Sequence, residues 1–248
     1  MKLTVLGSAG TFPGPDSPCS AYLLEQDGFR LLLDFGTGSL GPLQRHLGLL
    51  DFDAVYLSHL HADHCLELVT YSYARRYHPD GNPPPLPVYG PAGTADRIRS
   101  AFDSPPDHGL LDVYDFREVP TGSREIGPFT VTTARMNHPV ECHGVRVECA
   151  GRSLVYSGDT GRTEALVELA TDCDLLLCEA SWTDEPGRPA DLHMSGREAG
   201  EHAAQAAARR LLLTHLVVWS DPKVILAEAR RAYDGPVELA RCGQSYDI

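Results

Sequence analysis

Three histidines and one aspartate lie within six consecutive residues, directly after a short apolar segment at residues 53–57. They are His59, His61, Asp63 and His64. Neutral imidazole nitrogens and a carboxylate are ligands that zinc and similar divalent metals bind. His59 and His61 are two residues apart, so their side chains point the same way on extended backbone. The sequence therefore predicts a metal site where a strand ends, with a turn at Asp63 and His64 that directs further ligands towards a second ion.

The rest of the composition is that of an ordinary globular protein. The chain has 248 residues, which suits one large α/β domain with a sizeable core. Acidic residues number 34 against 21 Lys and Arg, and the formal charge of −13 disfavours binding to long phosphate backbones. The seven scattered cysteines form no disulfide or zinc-ribbon pattern, so we expect reduced thiols and a cytoplasmic location. No apolar run approaches membrane-spanning length, so we expect no membrane partner.

Hydrophobic periodicity predicts strands and helices in alternation, beginning with a first strand rather than a signal peptide. Strands are expected at residues 3–6, 22–25, 29–33, 54–57, 113–119, 129–136, 144–149, 153–156, 175–177 and 211–213. Helices are expected from the glycines at 36–38 to residue 47, and at 66–77, around residue 98, 163–170, 197–209 and 222–233. The helix at 197–209 follows a capping box formed by Ser195 and Glu198.

Two segments, 30–34 and 152–159, are similar to each other, because each is a strand that ends at an aspartate with a glycine close behind it. This similarity suggests two similar halves, and the element order predicts an α/β sandwich of two sheets with helices outside. No linker divides the chain, so residues 1–248 are expected to form a single domain. The proline-rich segment 78–87 is interpreted as a surface linker, with a lid or rim over the site as the alternative.

Further candidate ligands occur downstream, each just after a predicted strand. His138 follows the strand at 129–136, Asp159 follows the strand at 153–156, and His215 follows the strand at 211–213. Each residue alone would be ordinary. Their shared placement predicts convergence, because ligands from strands that are distant in sequence can meet at one edge of a sheet.

These residues together resemble the five-motif signature of the metallo-β-lactamase superfamily, in order and over nearly the whole chain. The matching segments are His59-Leu-His61-Ala-Asp63-His64, then His138, then Gly158-Asp159-Thr160, then Thr214-His215, with Asp34 matching the first motif. The fold of that family is an αββα sandwich with a dinuclear metal site at one edge of the sheets. The resemblance therefore implies this fold and this site.

The resemblance also implies a ligand set for two divalent ions, zinc first, with manganese or iron as alternatives. It assigns one ion to His59, His61 and His138, a second ion to Asp63, His64 and His215, and the bridging position to Asp159. Two ions about 3.5–4 Å apart can share and deprotonate a water, and the resulting hydroxide is the expected nucleophile. Asp34 would accept a hydrogen bond from a ligand histidine or orient the cluster; the alternative is a carboxylate that only caps a turn.

A second resemblance concerns residues beyond the metal ligands. The segment Cys178-Glu179-Ala180-Ser181 resembles a His-Glu-Ala-Thr motif of ribonuclease Z, and His193-Met-Ser195 resembles the His-Ser-Thr motif of the same group. The resemblance implies that His193 protonates the leaving oxygen and that Glu179 orients His193. Asp63 completes the expected catalytic set. His193 also precedes a capped helix, whose N-terminus suits a phosphate; the alternative is a surface histidine. Cys178 is expected to be a neutral buried thiol.

The chain departs from ribonuclease Z in two places. It has no basic insertion between residues 88 and 159 to match the arm that grips tRNA, and Leu216-Val-Val-Trp219 replaces a Ser-x-Arg-Tyr-like segment. The sequence resembles instead an actinobacterial-type branch of metallo-β-lactamase-fold cyclic-nucleotide phosphodiesterases, related to the class II enzymes. This resemblance implies hydrolysis of 3′,5′-cyclic AMP to the 5′-monophosphate. The base could stack on Tyr71, Tyr73, Tyr77 or Trp219.

Three other functions remain open at this point. The chain could be a ribonuclease Z-like endonuclease for tRNA 3′ ends, a hydrolase of carboxylic or sulfate esters, or a metal- and nucleotide-binding regulatory module without catalysis. A small phosphodiester is the expected partner and nucleic acid the less favoured one. A homodimer is expected by resemblance alone.

Overall fold

The computed structural model describes residues 1–81, 83–102, 110–119 and 122–248. Within these ranges the strands are β1 (Lys2–Gly7), β2 (Ala21–Gln26), β3 (Phe29–Phe35), β4 (Ala54–Tyr56), β5 (Leu86–Gly90), β6 (Tyr114–Glu118), β7 (Ser123–Ile126), β8 (Phe129–Arg135), β9 (His143–Cys149), β10 (Arg152–Tyr156), β11 (Leu175–Glu179), β12 (Leu211–Thr214), β13 (Val237–Leu239) and β14 (Ser245–Asp247). The helices are α1 (Leu40–Leu43), α2 (Ala62–Cys65), α3 (Glu67–Arg76), α4 (Thr94–Phe102), α5 (Glu164–Leu169), α6 (Gly196–Gln205) and α7 (Pro222–Ala232), with a short 3-10 helix at Leu110–Asp112.

The described strands form two sheets with the same internal plan. The first sheet has the order β14-β1-β2-β3-β4-β5-β6, and the second has the order β13-β12-β11-β10-β9-β8-β7. In each sheet the outer antiparallel strands lead to a central strand, β3 or β10, beyond which the pairing is parallel. The similarity between segments 30–34 and 152–159 therefore has a structural counterpart, because these segments lie at the equivalent central strands.

The two sheets pack face to face and bury the main core between them. Tyr22 and Tyr56 from the first sheet lie in this core with Phe129 and Tyr156 from the second. Successive residues of a strand point to opposite faces, so Leu212 enters the core between the sheets while its neighbours face the helices outside. Strands buried on both faces require continuous apolar runs, which explains the triple leucines at β3, β11 and β12.

The helices cover the outer faces of both sheets. Helices α3 and α4 bury Leu68 and Ile98 against the first sheet, and α6 and α7 bury Ala203 and Ile225 against the second. The result is the αββα sandwich that the sequence resemblance implied, in the single domain expected from the absence of a dividing linker. Within the described residues, no helix is long and apolar enough to cross a membrane.

Two predicted helices are shorter in the structure than the sequence indicated. The helix expected up to residue 47 is a single turn, α1, which contains two residues of low helix propensity, Gly41 and Pro42. The helix expected to end at 209 ends at Gln205. There Ala207 adopts a left-handed φ of 50°, Ala208 N–H donates to Ala203 O at 3.0 Å, and Ala207 N–H donates to Ala204 O at 3.1 Å. This is a Schellman ending without the glycine that usually marks it.

The proline-rich segment lies away from the edge that carries the metal-ligand candidates. Its described residues lead into the start of β5, whereas the histidine cluster follows the end of β4, and these two strands are parallel. Arg75 of α3 donates to Pro84 O. The linker interpretation of segment 78–87 therefore fits its described part, and Asn82 lies outside the described residues.

Candidate metal and active site

The residues predicted to bind metal converge at one edge of the sandwich. Each follows the carboxyl end of a strand: the histidine cluster follows β4, His138 follows β8, Asp159 follows β10 and His215 follows β12. The backbone bends sharply at this edge, with left-handed φ values of 58° at Gly158 and 57° at His215. The strand ends thus aim side chains from distant parts of the sequence into one place.

One set of ligand atoms comes from three histidines. The Nδ1 atom of His61 lies 3.0 Å from His59 Nε2 and 3.3 Å from His138 Nε2. Together with Asp159, each of these residues offers one ligand atom, and all four atoms lie within 4.8 Å of one another. His59 is fully buried, and burial lowers the pKa of all three imidazoles. They are therefore neutral, the form in which imidazole binds a metal.

A second set of ligand atoms lies beside the first. The Nε2 atoms of His64 and His215 are 3.2 Å apart, and His215 Nε2 is 3.1 Å from Asp63 Oδ2. The ligand atoms of these three residues also lie within 4.8 Å of one another. Burial would raise the pKa of Asp63, but His64 and His215 hold it well below its usual value, so the carboxylate is ionised.

Asp159 lies between the two sets. Its Oδ2 is 3.6 Å from His59 Nε2 and 3.4 Å from His215 Nε2, and its Oδ1 is 3.3 Å from His64 Nε2. Burial would raise its pKa, but the neighbouring histidines, led by His215, lower it strongly. Its buried Oδ1 accepts no hydrogen bond from the residues that the structure describes. A buried, ionised oxygen without a donor fits a bridging position between two cations.

The hydrogen bonds around the ligand histidines fix which nitrogen faces the site. His138 Nδ1–H donates to Leu192 O at 3.0 Å, so its Nε2 is left as a lone pair. His59 Nδ1 lies 3.1 Å from Ser58 Oγ, whose own hydrogen is donated to Asp34 Oδ2 at 2.7 Å. The Nε2 atoms of His59 and His138 therefore carry lone pairs that point towards His61 Nδ1, at 3.0 and 3.3 Å, and are in the form that binds a cation.

Asp34 holds one histidine of the second set, His64, by a hydrogen bond. Its φ of 56° places it at a bulge near the end of β3, where the register with β2 shifts. Its carboxylate accepts four hydrogen bonds: from Ser58 N–H at 2.6 Å and Ser58 Oγ–H, His64 Nδ1–H and Tyr156 OH at 2.7 Å each. The His64 contact leaves Nε2 directed at the site. Asp34 thus has the contact with a ligand histidine that the resemblance implied, rather than only a turn-capping one.

Glu179 and His193 form a pair beside the ligand clusters. His193 Nδ1–H donates to Glu179 Oε1 at 2.9 Å, and the ring centres of His193 and His215 are 5.2 Å apart. Glu179 is fully buried and also accepts from Thr160 N–H at 2.7 Å. Burial would lower the pKa of His193, but the carboxylates of Glu179 and Asp159 raise it to about 9. His193 is partly buried in this pair and is not a free surface histidine.

His193 also belongs to a third group of possible ligands. Asp159, His193 and His215 each offer one atom, and these atoms lie within 4.8 Å of one another. His193 Nδ1, however, lies 4.0 Å from Asp159 Oδ2 and is already engaged with Glu179. The contact with Glu179 therefore leaves only His193 Nε2 open to a metal or to a substrate.

Two groups in the site were not among the predicted site residues. Ser181 Oγ–H donates to Glu179 Oε2 at 2.9 Å and accepts from His215 Nδ1–H at 2.8 Å, so Glu179 orients His215 as well as His193. Thr11 N–H donates to Asp63 Oδ2 at 2.8 Å. Ser181 could have been found from its place two residues after Glu179 on the same strand end. The Thr11 contact is a backbone contact, which residue type does not reveal.

Other candidates from the sequence lie away from the site. Cys178 is fully buried on the helix side of β11, where burial raises the pKa of its thiol, so it is neutral as expected. Tyr71 packs in the core against Phe35 and Phe52 and is unavailable to a ligand, so its predicted stacking role is wrong.

The fold and the clustered histidines and aspartates define two adjacent candidate metal sites at one edge of a two-sheet sandwich. Residues 29–216 match the sequence profile of the Beta-lactamase superfamily domain. An uncharacterized protein of Mycobacterium leprae (strain TN) is 46% identical over 262 residues, which cover 100% of this chain and 89% of the relative. The probable metallo-hydrolase YhfI of Bacillus subtilis (strain 168) is 30% identical over 246 residues, which cover 98% of each chain. Ribonuclease Z of Myxococcus xanthus (strain DK1622) is 29% identical over 304 residues, covering 100% of this chain and 98% of the enzyme.

Solved structures give the same assignment. The crystal structure of YhfI from Bacillus subtilis, a metallo-β-lactamase fold protein, matches with a TM-score of 0.88 and 29% identity, over 99% of this chain and 98% of that one. The short form of human tRNase Z matches with a TM-score of 0.80 and 25% identity, over 100% and 99%. The chain therefore belongs to the β-lactamase superfamily, among relatives of the ribonuclease Z branch.

Proposed function

We propose that this metallo-hydrolase is a phosphodiesterase that hydrolyses small cyclic nucleotides, with 3′,5′-cyclic AMP converted to 5′-AMP. The observation that carries the proposal is the pair formed by His193 and Glu179 beside the ligand clusters. An ester whose leaving group is a good anion needs no proton donor. A sugar alkoxide leaves poorly without one, and a positioned imidazolium supplies it.

The site fits two divalent cations, zinc first, on the chemistry of its donors. When bound, two such ions would lower the pKa of a shared water and neutralise charge on the phosphoryl oxygens. The chain's own contribution is to hold each ligand in its binding form. Asp34 fixes His64, and Ser181 fixes His215.

His193 is positioned to act on the oxygen that departs from phosphorus. Because Nδ1–H is held by Glu179, the ring can offer only its Nε2–H to a substrate. The carboxylate raises the pKa of His193 to about 9, so the ring is protonated near neutral pH. As the water oxygen bonds to phosphorus, the bond from phosphorus to the 3′ oxygen breaks and that oxygen takes the proton of His193. The phosphate then remains on the 5′ carbon.

The charge of the chain supports a small substrate over a long polyanion. The formal net charge is −13, and acidic residues would repel a nucleic-acid backbone that extends over the surface. A cyclic mononucleotide carries one phosphodiester, and two bound cations are enough to neutralise it.

Processing of tRNA 3′ ends is the second candidate, because two of the relatives reported above are a ribonuclease Z and a tRNase Z. Both functions use the same cleavage chemistry on different substrates. Turnover of 3′,5′-cyclic AMP and of precursor tRNA should be measured side by side with metal-quantified protein, with Asp63→Ala as the inactive control. Release of 5′-AMP by the parent alone supports the proposal. Cleavage of tRNA without release of 5′-AMP contradicts it.

The proton-donor role is tested with two leaving groups. We expect His193→Ala to lower kcat for 3′,5′-cyclic AMP by about 10²–10⁴-fold, the usual contribution of a general acid. The same protein should hydrolyse bis(p-nitrophenyl) phosphate within a few-fold of the parent, because nitrophenolate leaves without a proton. The His193→Ala protein should retain the metal content of the parent. Loss of an ion from His193→Ala would instead assign the residue as a ligand.

A further inference from the structure

Both tryptophans of this chain, Trp182 and Trp219, line one cavity of about 540 Å³ at the edge of the active site. The same cavity is lined by Arg188 and Asp221 among others. A tryptophan exposed to solvent is uncommon in a small globular protein, and Trp219 exposes 69% of its surface. The proposed chemistry at the metal ligands makes no use of either ring.

The cavity is connected to the site through Trp182. The Trp182 ring meets the His193 ring edge to face, with ring centres 5.3 Å apart. A smaller cavity of about 140 Å³ is lined by His193 and shares Trp182 and Arg188 with the larger one. A ligand with its phosphate at His193 can therefore extend past Trp182 towards Trp219.

Trp219 is held beside a second exposed aromatic ring. Its centre lies 5.4 Å from that of Phe12, which is 40% exposed. The two segments that carry these rings run side by side, since Gly10 N–H donates to Leu216 O at 3.0 Å. The first segment also reaches the metal ligands, because Thr11 N–H donates to Asp63. The aromatic pair is thus fixed to the site by backbone on both sides.

Arg188 provides a polar contact in the same cavity. Its guanidinium lies over the Trp182 ring, with Cζ 5.2 Å from the ring centre, and its Nη2 donates to Thr183 Oγ1 at 3.0 Å. Its Nη1 is buried and has no hydrogen-bond acceptor among the residues that the structure describes. A buried donor without an acceptor is expected to find one in a ligand.

We propose that this cavity binds the nucleoside part of the substrate, with the base stacked on Trp219, whose ring packs against Phe12, and with Arg188 Nη1 donating to an acceptor of the bound nucleotide. The identification of the phosphate position rests on the proposed function. The stacking surface makes the nucleobase a specificity determinant, since any base presents a π face to an aromatic ring. A phosphoester without a base would lose this contact.

The test measures binding, so it does not depend on turnover. Dissociation constants of 5′-AMP and of ribose 5-phosphate are measured by calorimetry for the metal-loaded parent, Trp219→Ala and Tyr73→Ala. Tyr73 is a matched control, because it is an aromatic residue 51% exposed on α3, outside the cavity. We expect Trp219→Ala to weaken 5′-AMP about tenfold, as loss of one stacked base contact does, and to leave ribose 5-phosphate unchanged. Tyr73→Ala should change neither.

A second readout locates the base directly. In Trp182→Phe protein the remaining tryptophan is Trp219, and 5′-AMP should quench its fluorescence while ribose 5-phosphate should not. Equal affinity of the parent for both ligands, or equal weakening of both by Trp219→Ala, would overturn the inference. If base-dependent binding holds but 3′,5′-cyclic AMP is not hydrolysed, the proposed function fails and this inference stands. If 3′,5′-cyclic AMP is hydrolysed but Trp219→Ala has no effect on 5′-AMP binding, the proposed function stands and this inference fails.

Discussion

Replacing Asp34 by asparagine should weaken metal binding without changing the backbone. Asp34 adopts a left-handed φ of 56°, which asparagine tolerates better than alanine does. The asparagine has the shape of the aspartate but one oxygen fewer. The variant therefore isolates the hydrogen-bonding role of the carboxylate.

The magnitude follows from the four hydrogen bonds that Asp34 accepts. In one arrangement the asparagine oxygen keeps the contacts to His64 and Tyr156. The amide nitrogen of the asparagine then faces the N–H of Ser58, and because both groups are donors this hydrogen bond is lost. If the amide is reversed, it donates to His64 Nδ1, and the ring proton moves to Nε2, where it blocks a metal ligand. Either arrangement loses at least one charge-assisted hydrogen bond, worth about 1.5–3 kcal/mol of folding free energy. Loss of such a supporting contact costs about 10–100-fold in metal affinity.

Metal affinity is measured by competition with a chromophoric chelator, and stability by thermal unfolding of chelator-treated protein. Asp27→Asn is the matched control, because Asp27 has a φ of 51° in an exposed turn between β2 and β3. We expect the control to match the parent in both assays. Asp34→Asn protein that binds two ions with the affinity of the parent would refute the proposed orientation of His64 by Asp34.

Two other predictions concern stability. Ala207→Gly should raise the free energy of unfolding by about 1 kcal/mol, because Ala207 ends α6 in a left-handed conformation that costs an alanine about 1–2 kcal/mol. The control, Ala204→Gly, changes an exposed position inside α6 and should lower the free energy of unfolding by about 1 kcal/mol. Equal destabilisation by both changes would refute the left-handed helix ending at Ala207. Removal of metal should lower Tm by about 10 °C, since two ions at about a hundredfold their Kd contribute about 5 kcal/mol; a Tm unaffected by chelator would contradict the metal assignment.

The sequence predicted the fold and most of the site because both depend on local patterns. The strands before His59, Asp159 and His215 are continuous apolar runs, and a polar ligand directly after such a run marks the sheet edge. Strands such as β5 and β13 were not predicted, because they are short or contain a proline and owe their state to neighbouring strands.

What the sequence did not reveal depends on tertiary contact. Ala207 ends a helix where residue type favours its continuation, because the chain must turn back into β12. Thr11 reaches Asp63 through a backbone N–H, so its identity carries no signal. Tyr71 is an aromatic residue that could stack on a ligand, but its ring packs against Phe35 and Phe52 in the core. Pairwise contacts of this kind become visible only in the folded structure.

The most direct test of the central claim is a metal titration of activity. Chelator-treated protein is titrated with zinc, and release of 5′-AMP from 3′,5′-cyclic AMP is recorded against zinc bound per chain. We expect no release of 5′-AMP without metal and a rate that reaches its maximum at two equivalents of zinc. Release from metal-free protein, or two bound equivalents without any release, would contradict this expectation.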